Sequence, residues 1–116
     1  MSRLEVEKRG RRGEAIAAWF LRLHGWRIAG ERIKTPRGEV DLIARRGKTV
    51  SFVEVKARTK RTDLDLAIHP NSLRRVAAAA EILLPRYGKG AENMQIDVIL
   101  VAPWRWPHHL PNVWHG

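Results

Sequence analysis

Residues 38–58 read GEVDLIARRGKTVSFVEVKAR, and the fold turns on how this stretch pairs with itself. Glu39–Ala44 and Thr49–Ala57 are rich in Val, Ile, Leu and Phe, and the segment Arg45-Arg46-Gly47-Lys48 between them predicts a hairpin turn. Side chains alternate faces along a strand, so Phe52, Glu54 and Lys56 share one face, and Glu39, Asp41 and Ile43 share another. A two-residue loop around Arg46-Gly47 would pair Asp41 with Phe52. A four-residue loop centred on Gly47-Lys48 would pair it with Glu54. Both registers set Asp41 on the face of Glu54 and Lys56, and a slip of one residue separates them.

Two carboxylates held close together repel, and ionising both at neutral pH needs compensating positive charge. A hard divalent cation supplies it, and oxygen ligands suit Mg²⁺ or Mn²⁺. Such an ion polarises a phosphodiester and lowers the pKa of a bound water. Lys56 is then placed to orient that water or to offset charge on the attacked phosphate. The competing reading of the same residues is an acid–Lys salt bridge on a solvated sheet face.

Outward from the hairpin, Gly10–Leu23 predicts a helix stopped at His24-Gly25, apolar almost all round and therefore largely buried apart from Glu14. Trp26–Ile33 predicts a strand, and Lys34–Gly38 a turn. Asn71–Tyr87 predicts a second helix with Asn71 or Ser72 as N-cap. Met94–Ala102 predicts a last, strongly apolar strand. The order is α-β-β-β-α-β, one mixed α/β domain over residues 1–116, with a Trp-, His- and Pro-rich tail from 103 to 116.

The 116 residues carry 22 Lys and Arg against 12 Asp and Glu, a net charge of +10. A field of that sign attracts polyanions, nucleic acid first among them. Absence of Cys excludes disulfides, thiolate metal sites and a cysteine nucleophile. No run approaches the ~18–20 apolar residues of a membrane span, and the N-terminus does not read as a secretory signal, so a cytoplasmic location and no membrane partner are expected. Glycine-rich phosphate loops, zinc spacings and Ser-His arrangements are absent.

Several other groups bear on function. Lys56, Arg58, Lys60 and Arg61 form a basic run leaving the second hairpin strand, Arg74 and Arg75 open the second helix, and Arg9, Arg11 and Arg12 precede Glu14. They are candidate phosphate contacts, the alternative being a solvated charged face. Asp97 on an apolar strand needs a partner, expected from the Arg-rich helix. The tryptophans of the tail are expected to pack across the sheet edge, although Trp and Arg also stack on unpaired bases.

GEVDLIA followed by FVEVKAR, with Arg12-Gly13-Glu14 before and Gln95-Ile96-Asp97-Val98 after, resembles the PD-(D/E)xK nuclease superfamily, which includes restriction endonucleases and archaeal Holliday-junction resolvases. Within it, the chain is similar to the YraN-like family of bacterial proteins. The resemblance implies a restriction-endonuclease-like mixed sheet flanked by helices. It also implies metal-dependent hydrolysis of nucleic acid, DNA in preference to RNA, with homodimerisation a further expectation. Asp41, Glu54 and the Val55 carbonyl would bind the metal, Lys56 would be the catalytic lysine, and Glu14 would reach the metal directly or through water. Without the resemblance, Glu14 is equally an acid favoured near a helix N-terminus. Val40 replaces the proline of the superfamily's PD pair, and Ser72 stands near the position of a helix lysine, leaving Arg74 or Arg75 as the phosphate contact there. The alternative function is a binding module that recognises nucleic acid without cutting it.

Overall fold

The computed structural model describes residues 3–58 and 69–115. Lys60 and Arg61 lie outside these residues, as does the side chain of Arg9. The elements are α1 (Arg3–Leu23), β1 (Arg27–Thr35), β2 (Gly38–Arg46), β3 (Thr49–Ala57), α2 (Pro70–Tyr87), β4 (Asn93–Val101) and β5 (His108–Leu110). The expected α-β-β-β-α-β order is therefore present, with one short strand added at its end.

The five strands form one sheet in the order β1-β2-β3-β4-β5. The first three are an antiparallel meander, β3 and β4 are parallel, and β5 returns antiparallel to β4. Parallel neighbours need a crossover connection, and α2 supplies it. The helices sit on opposite faces. Leu73, Val76, Ala79, Ala80 and Leu83 of α2 cover Val50, Phe52, Ile96, Val98 and Leu100. Ala17, Ala18 and Leu21 of α1 cover Leu42, Ala44, Val53, Ile99 and Val101.

The β2–β3 turn is two residues, Gly47-Lys48, because Arg45 and Arg46 continue the strand. Gly47 takes φ +57, which a residue with a Cβ adopts only at a cost and which a tight hairpin turn requires. Arg46 pairs with Thr49 and Leu42 with Val53, so the register is the one that brings Asp41 opposite Glu54.

Helix α1 departs from expectation twice. It begins well before Gly10, and it buries one stripe rather than its whole circumference, leaving Ile16, Trp19 and Leu23 exposed. A single helix on one sheet face has only one side to bury. The buried stripe lets the helix approach β3 closely: a Cβ on Gly13 would stand 3.0 Å from that of Ala57. Helix α2 is capped by His69, whose Nδ1 accepts the Asn71 N–H at 3.2 Å, rather than by Asn71 or Ser72. Pro70 follows at the first helical position, where its fixed φ fits and its missing N–H costs nothing.

The tail is partly ordered structure. Strand β5 presents His109, whose Nε2 lies 2.7 Å from Asp97 Oδ2, and the Asn112 N–H donates to Asp97 Oδ1 at 2.9 Å. Gln95 donates to the same carboxylate. The partners of fully buried Asp97 thus come from its own strand and the C-terminal segment, not from the Arg-rich helix. Burial pushes its pKa up, but His109 and the Asn112 N–H together hold it below the ordinary carboxylate value. The stabilisation from this ionised carboxylate is therefore present above the unfolded pKa and lost as pH falls through the folded one. His109→Ala leaves the buried charge short of a partner and is expected to cost about 3 kcal/mol in urea unfolding at pH 7. A loss below about 1 kcal/mol would show that Asp97 does not anchor the C-terminal segment.

Candidate functional site

The β2–β3 ladder ends at Leu42–Val53. One step beyond, the Val55 N–H donates to Asp41 Oδ2 at 2.8 Å, so a side chain replaces the backbone as the link between the strands. N–H and C=O of one strand residue point to the same side, which turns the Val55 carbonyl toward β2 as well.

Strict alternation also fails at this point. Val40 and Ile43 pack in the layer under α2, and Leu42 and Ala44 in the layer under α1, so the pattern shifts by one residue across Asp41. The expected common face of Glu39, Asp41 and Ile43 is corrected accordingly. On the neighbouring strand Arg32 lies opposite Asp41, between the pairs Glu31–Leu42 and Ile33–Val40, with an uncommon φ of +51.

The result is a cleft of about 840 Å³ at the end of the ladder. Glu14 from α1, Asp41 from β2, and Glu54, Val55 and Lys56 from β3 all line it. Glu14, Asp41, Glu54 and Lys56 are half-buried, while Arg11, Arg32, Lys34 and Arg75 are exposed around them. Three acids and Lys56 form the floor, and the rim is basic apart from Glu39. Glu54 Oε1 is 3.0 Å from Lys56 Nζ, with the two side chains 15% and 21% exposed. That pair exists, but it is not the solvated surface bridge of the competing reading. Glu14 Oε2 is held at 2.9 Å by both Nε and Nη2 of Arg32. Because Glu14 lies deep inside α1 rather than in its first turn, the helix macrodipole does not account for it.

Burial pushes the Asp41 carboxyl up, to about 6, against the Val55 N–H, and the charges of Glu14, Glu54 and Glu39 push it the same way. Among the described residues no three His, Asp or Glu side chains are grouped as they would be around a metal ion. The donor chemistry fits a hard divalent cation nonetheless. Asp41 Oδ1, Glu54 Oε2 and Glu14 Oε1 have no protein donor among the described residues, and oxygen donors of this kind suit Mg²⁺ or Mn²⁺.

The other basic residues divide. Arg11 and Arg75 line the cleft, as does Ser72. Arg74 turns away, its Nη1 3.4 Å from Asn71 Oδ1, beside Arg37. Arg12 and Arg58 line a second groove on the other side of Gly13. Sequence reasoning missed Arg32 and Lys34, whose two-residue spacing on β1 was the available signal. Without a partner register for β1, that spacing assigns them no role.

The buried Asp41 carboxylate gives a direct test. Its raised pKa means the folded state binds the proton more tightly than the unfolded, so stability falls as pH rises from about 4 to about 6. Asp41→Asn, which keeps an acceptor for Val55, is expected to abolish that fall and stabilise the protein at pH 8 by about 3 kcal/mol in thermal unfolding. Destabilisation at pH 8 would mean that the ionised carboxylate is itself structural.

A family model described as "Uncharacterised protein family UPF0102" matches residues 13–101. UPF0102 proteins of Rhizorhabdus wittichii and Sphingopyxis alaskensis are 68% and 60% identical to the chain over 114 residues, covering 98% of it and 97% and 98% of the relatives. Among solved structures, the Holliday junction resolvase Hjc of the archaeal hyperthermophile Archaeoglobus fulgidus matches with a TM-score of 0.59 and 20% identity, over 86% of this chain and 73% of that one. At that identity the likeness is one of fold, and the fold is the restriction-endonuclease-like α/β sheet expected from the sequence.

Proposed function

The chain belongs to the UPF0102 family, and from that premise we propose that it is a metal-dependent nuclease hydrolysing phosphodiester bonds of nucleic acid, DNA in preference to RNA. The observation that carries this reading is the convergence of Glu14, Asp41, Glu54 and Lys56, from three separate elements, in one cation-rimmed cleft. Likeness of fold to a Holliday junction resolvase supports it.

Asp41, Glu54 and the Val55 carbonyl would hold Mg²⁺ or Mn²⁺. When bound, such an ion supplies a Lewis acid for the scissile phosphodiester and eases ionisation of water. Lys56, anchored on Glu54, orients the attacking water and offsets negative charge on the phosphate. Glu14, fixed in place by Arg32, offers a further acceptor for that water. Arg11, Lys34 and Arg75 bind flanking phosphates from the rim, and Arg12, Arg58 and Arg74 extend the basic surface beyond it.

A second reading is a binding module that does not cut. It is favoured by the engagement of Glu14 and Glu54 by Arg32 and Lys56 and by the lack of a chelating group of three among the described residues. The two readings separate in a cleavage assay on labelled duplex, junction, flap, single-stranded DNA and RNA with Mg²⁺ or Mn²⁺. The nuclease reading expects metal-dependent cutting that Lys56→Ala slows roughly a hundredfold or more. No cutting, with salt-sensitive binding unaffected by Lys56→Ala, would leave the binding module.

A further inference from the structure

The connection from β4 to β5 carries Trp104, Arg105 and Trp106, and with Arg12, Ile16 and Arg58 these line a groove of about 540 Å³ beside α1. The rings are not packed away. Trp104 is wholly exposed and Trp106 is 72% exposed. Trp106 lies parallel to Trp19 of α1, with centroids 5.7 Å apart and planes 7° apart. Trp104 also holds φ +61, a left-handed conformation that costs free energy in a bulky residue. Of the tail's tryptophans only Trp114 packs against the core, so the expected edge-covering role fails for Trp104 and Trp106.

We propose that this groove is a stacking site for unpaired bases of the nucleic acid whose backbone enters the acidic cleft. The proposal rests on the nuclease or nucleic-acid-binding reading above and adds the substrate class: strands unpaired next to the contacted phosphates, as in a flap, a branch or a single-stranded end. Two observations select this occupant over an apolar peptide or a second copy of the chain. First, three arginines, Arg12, Arg58 and Arg105, line the same groove as the rings. A base with its phosphate uses both kinds of group, stacking on Trp and pairing charge with Arg, whereas an apolar face would leave the cations unmatched. Second, groove and cleft are neighbours, divided where Gly13 of α1 closes on Ala57. Ala57 lines both, and successive residues of α1 divide between them, Arg12 and Gly13 on the groove, Arg11 and Glu14 on the cleft. A strand leaving the cleft past the end of β3 would meet the rings next.

The test is the ratio of affinities for a paired duplex and for the same duplex with a single-stranded overhang, by fluorescence anisotropy in EDTA so that no strand is cut. The wild-type protein is expected to prefer the overhang. Trp104→Ala and Trp106→Ala are expected to reduce that preference roughly 5- to 100-fold, with Trp104→Phe retaining most of it. Overhang binding is also expected to quench tryptophan fluorescence in the wild type. A preference that survives both alanine substitutions overturns the proposal. So does a wild-type dimer in sedimentation velocity that becomes monomeric in Trp104→Ala with an unchanged preference, which would make the groove an interface between copies. Because the assay contains no metal, an inactive protein with a Trp-dependent preference would refute the nuclease and keep the stacking site. An active protein that cuts duplex and overhang alike, with or without Trp104, would do the reverse.

Discussion

The contact from the Val55 N–H to Asp41 Oδ2 is where strand pairing becomes chemistry. Up to Leu42 and Val53 the two strands exchange backbone hydrogen bonds. Beyond that point they no longer pair, and a carboxylate occupies the place of a carbonyl. Every backbone group released by the separation of two strands needs a partner, and here the partner is an acid. At the same level the alternation of β2 shifts by one residue, and Arg32 of the neighbouring strand holds a left-handed conformation bonded to Glu14. A cleft opens where a continuous ladder would have left a flat sheet.

Holding that carboxylate there has an electrostatic cost. Desolvation and three neighbouring acids oppose ionisation of Asp41, and a single N–H does not offset them. The excess of positive charge in the chain is the counterweight, arranged locally by Lys56 and Arg32 and more widely by the rim. The chain's net charge of +10 thus makes a cluster of acids tolerable. Under the proposed function, an external cation would compete with Lys56 and Arg32 for the same carboxylates.

The hairpin was legible because its chemistry is local. Periodicity identified β2 and β3, and either considered register placed Asp41 near Glu54. Glu14 was legible only through family resemblance, since nothing local distinguishes a functional acid in a helix from a structural one. What stayed hidden depends on long-range geometry. The shift of alternation at Asp41, the Arg32–Glu14 pair and the His109–Asp97 contact each join segments whose mutual register no local pattern encodes. Strand β5 is three residues long and exists because Asp97 and β4 receive it, not because His108-His109-Leu110 favours a strand. Composition alone could not tell whether the tail's tryptophans packed inward or faced solvent, because a Trp satisfies either role.

A divalent-cation site at Asp41 and Glu54, as proposed, is tested without reference to any substrate by direct titration with Mn²⁺, followed by electron paramagnetic resonance of the free ion. One saturable Mn²⁺ site per chain is expected, competed by Mg²⁺, and lost in both Asp41→Asn and Glu54→Gln. Absence of saturable binding, or binding that both substitutions leave intact, would contradict it and leave the acids paired only with Lys56 and Arg32.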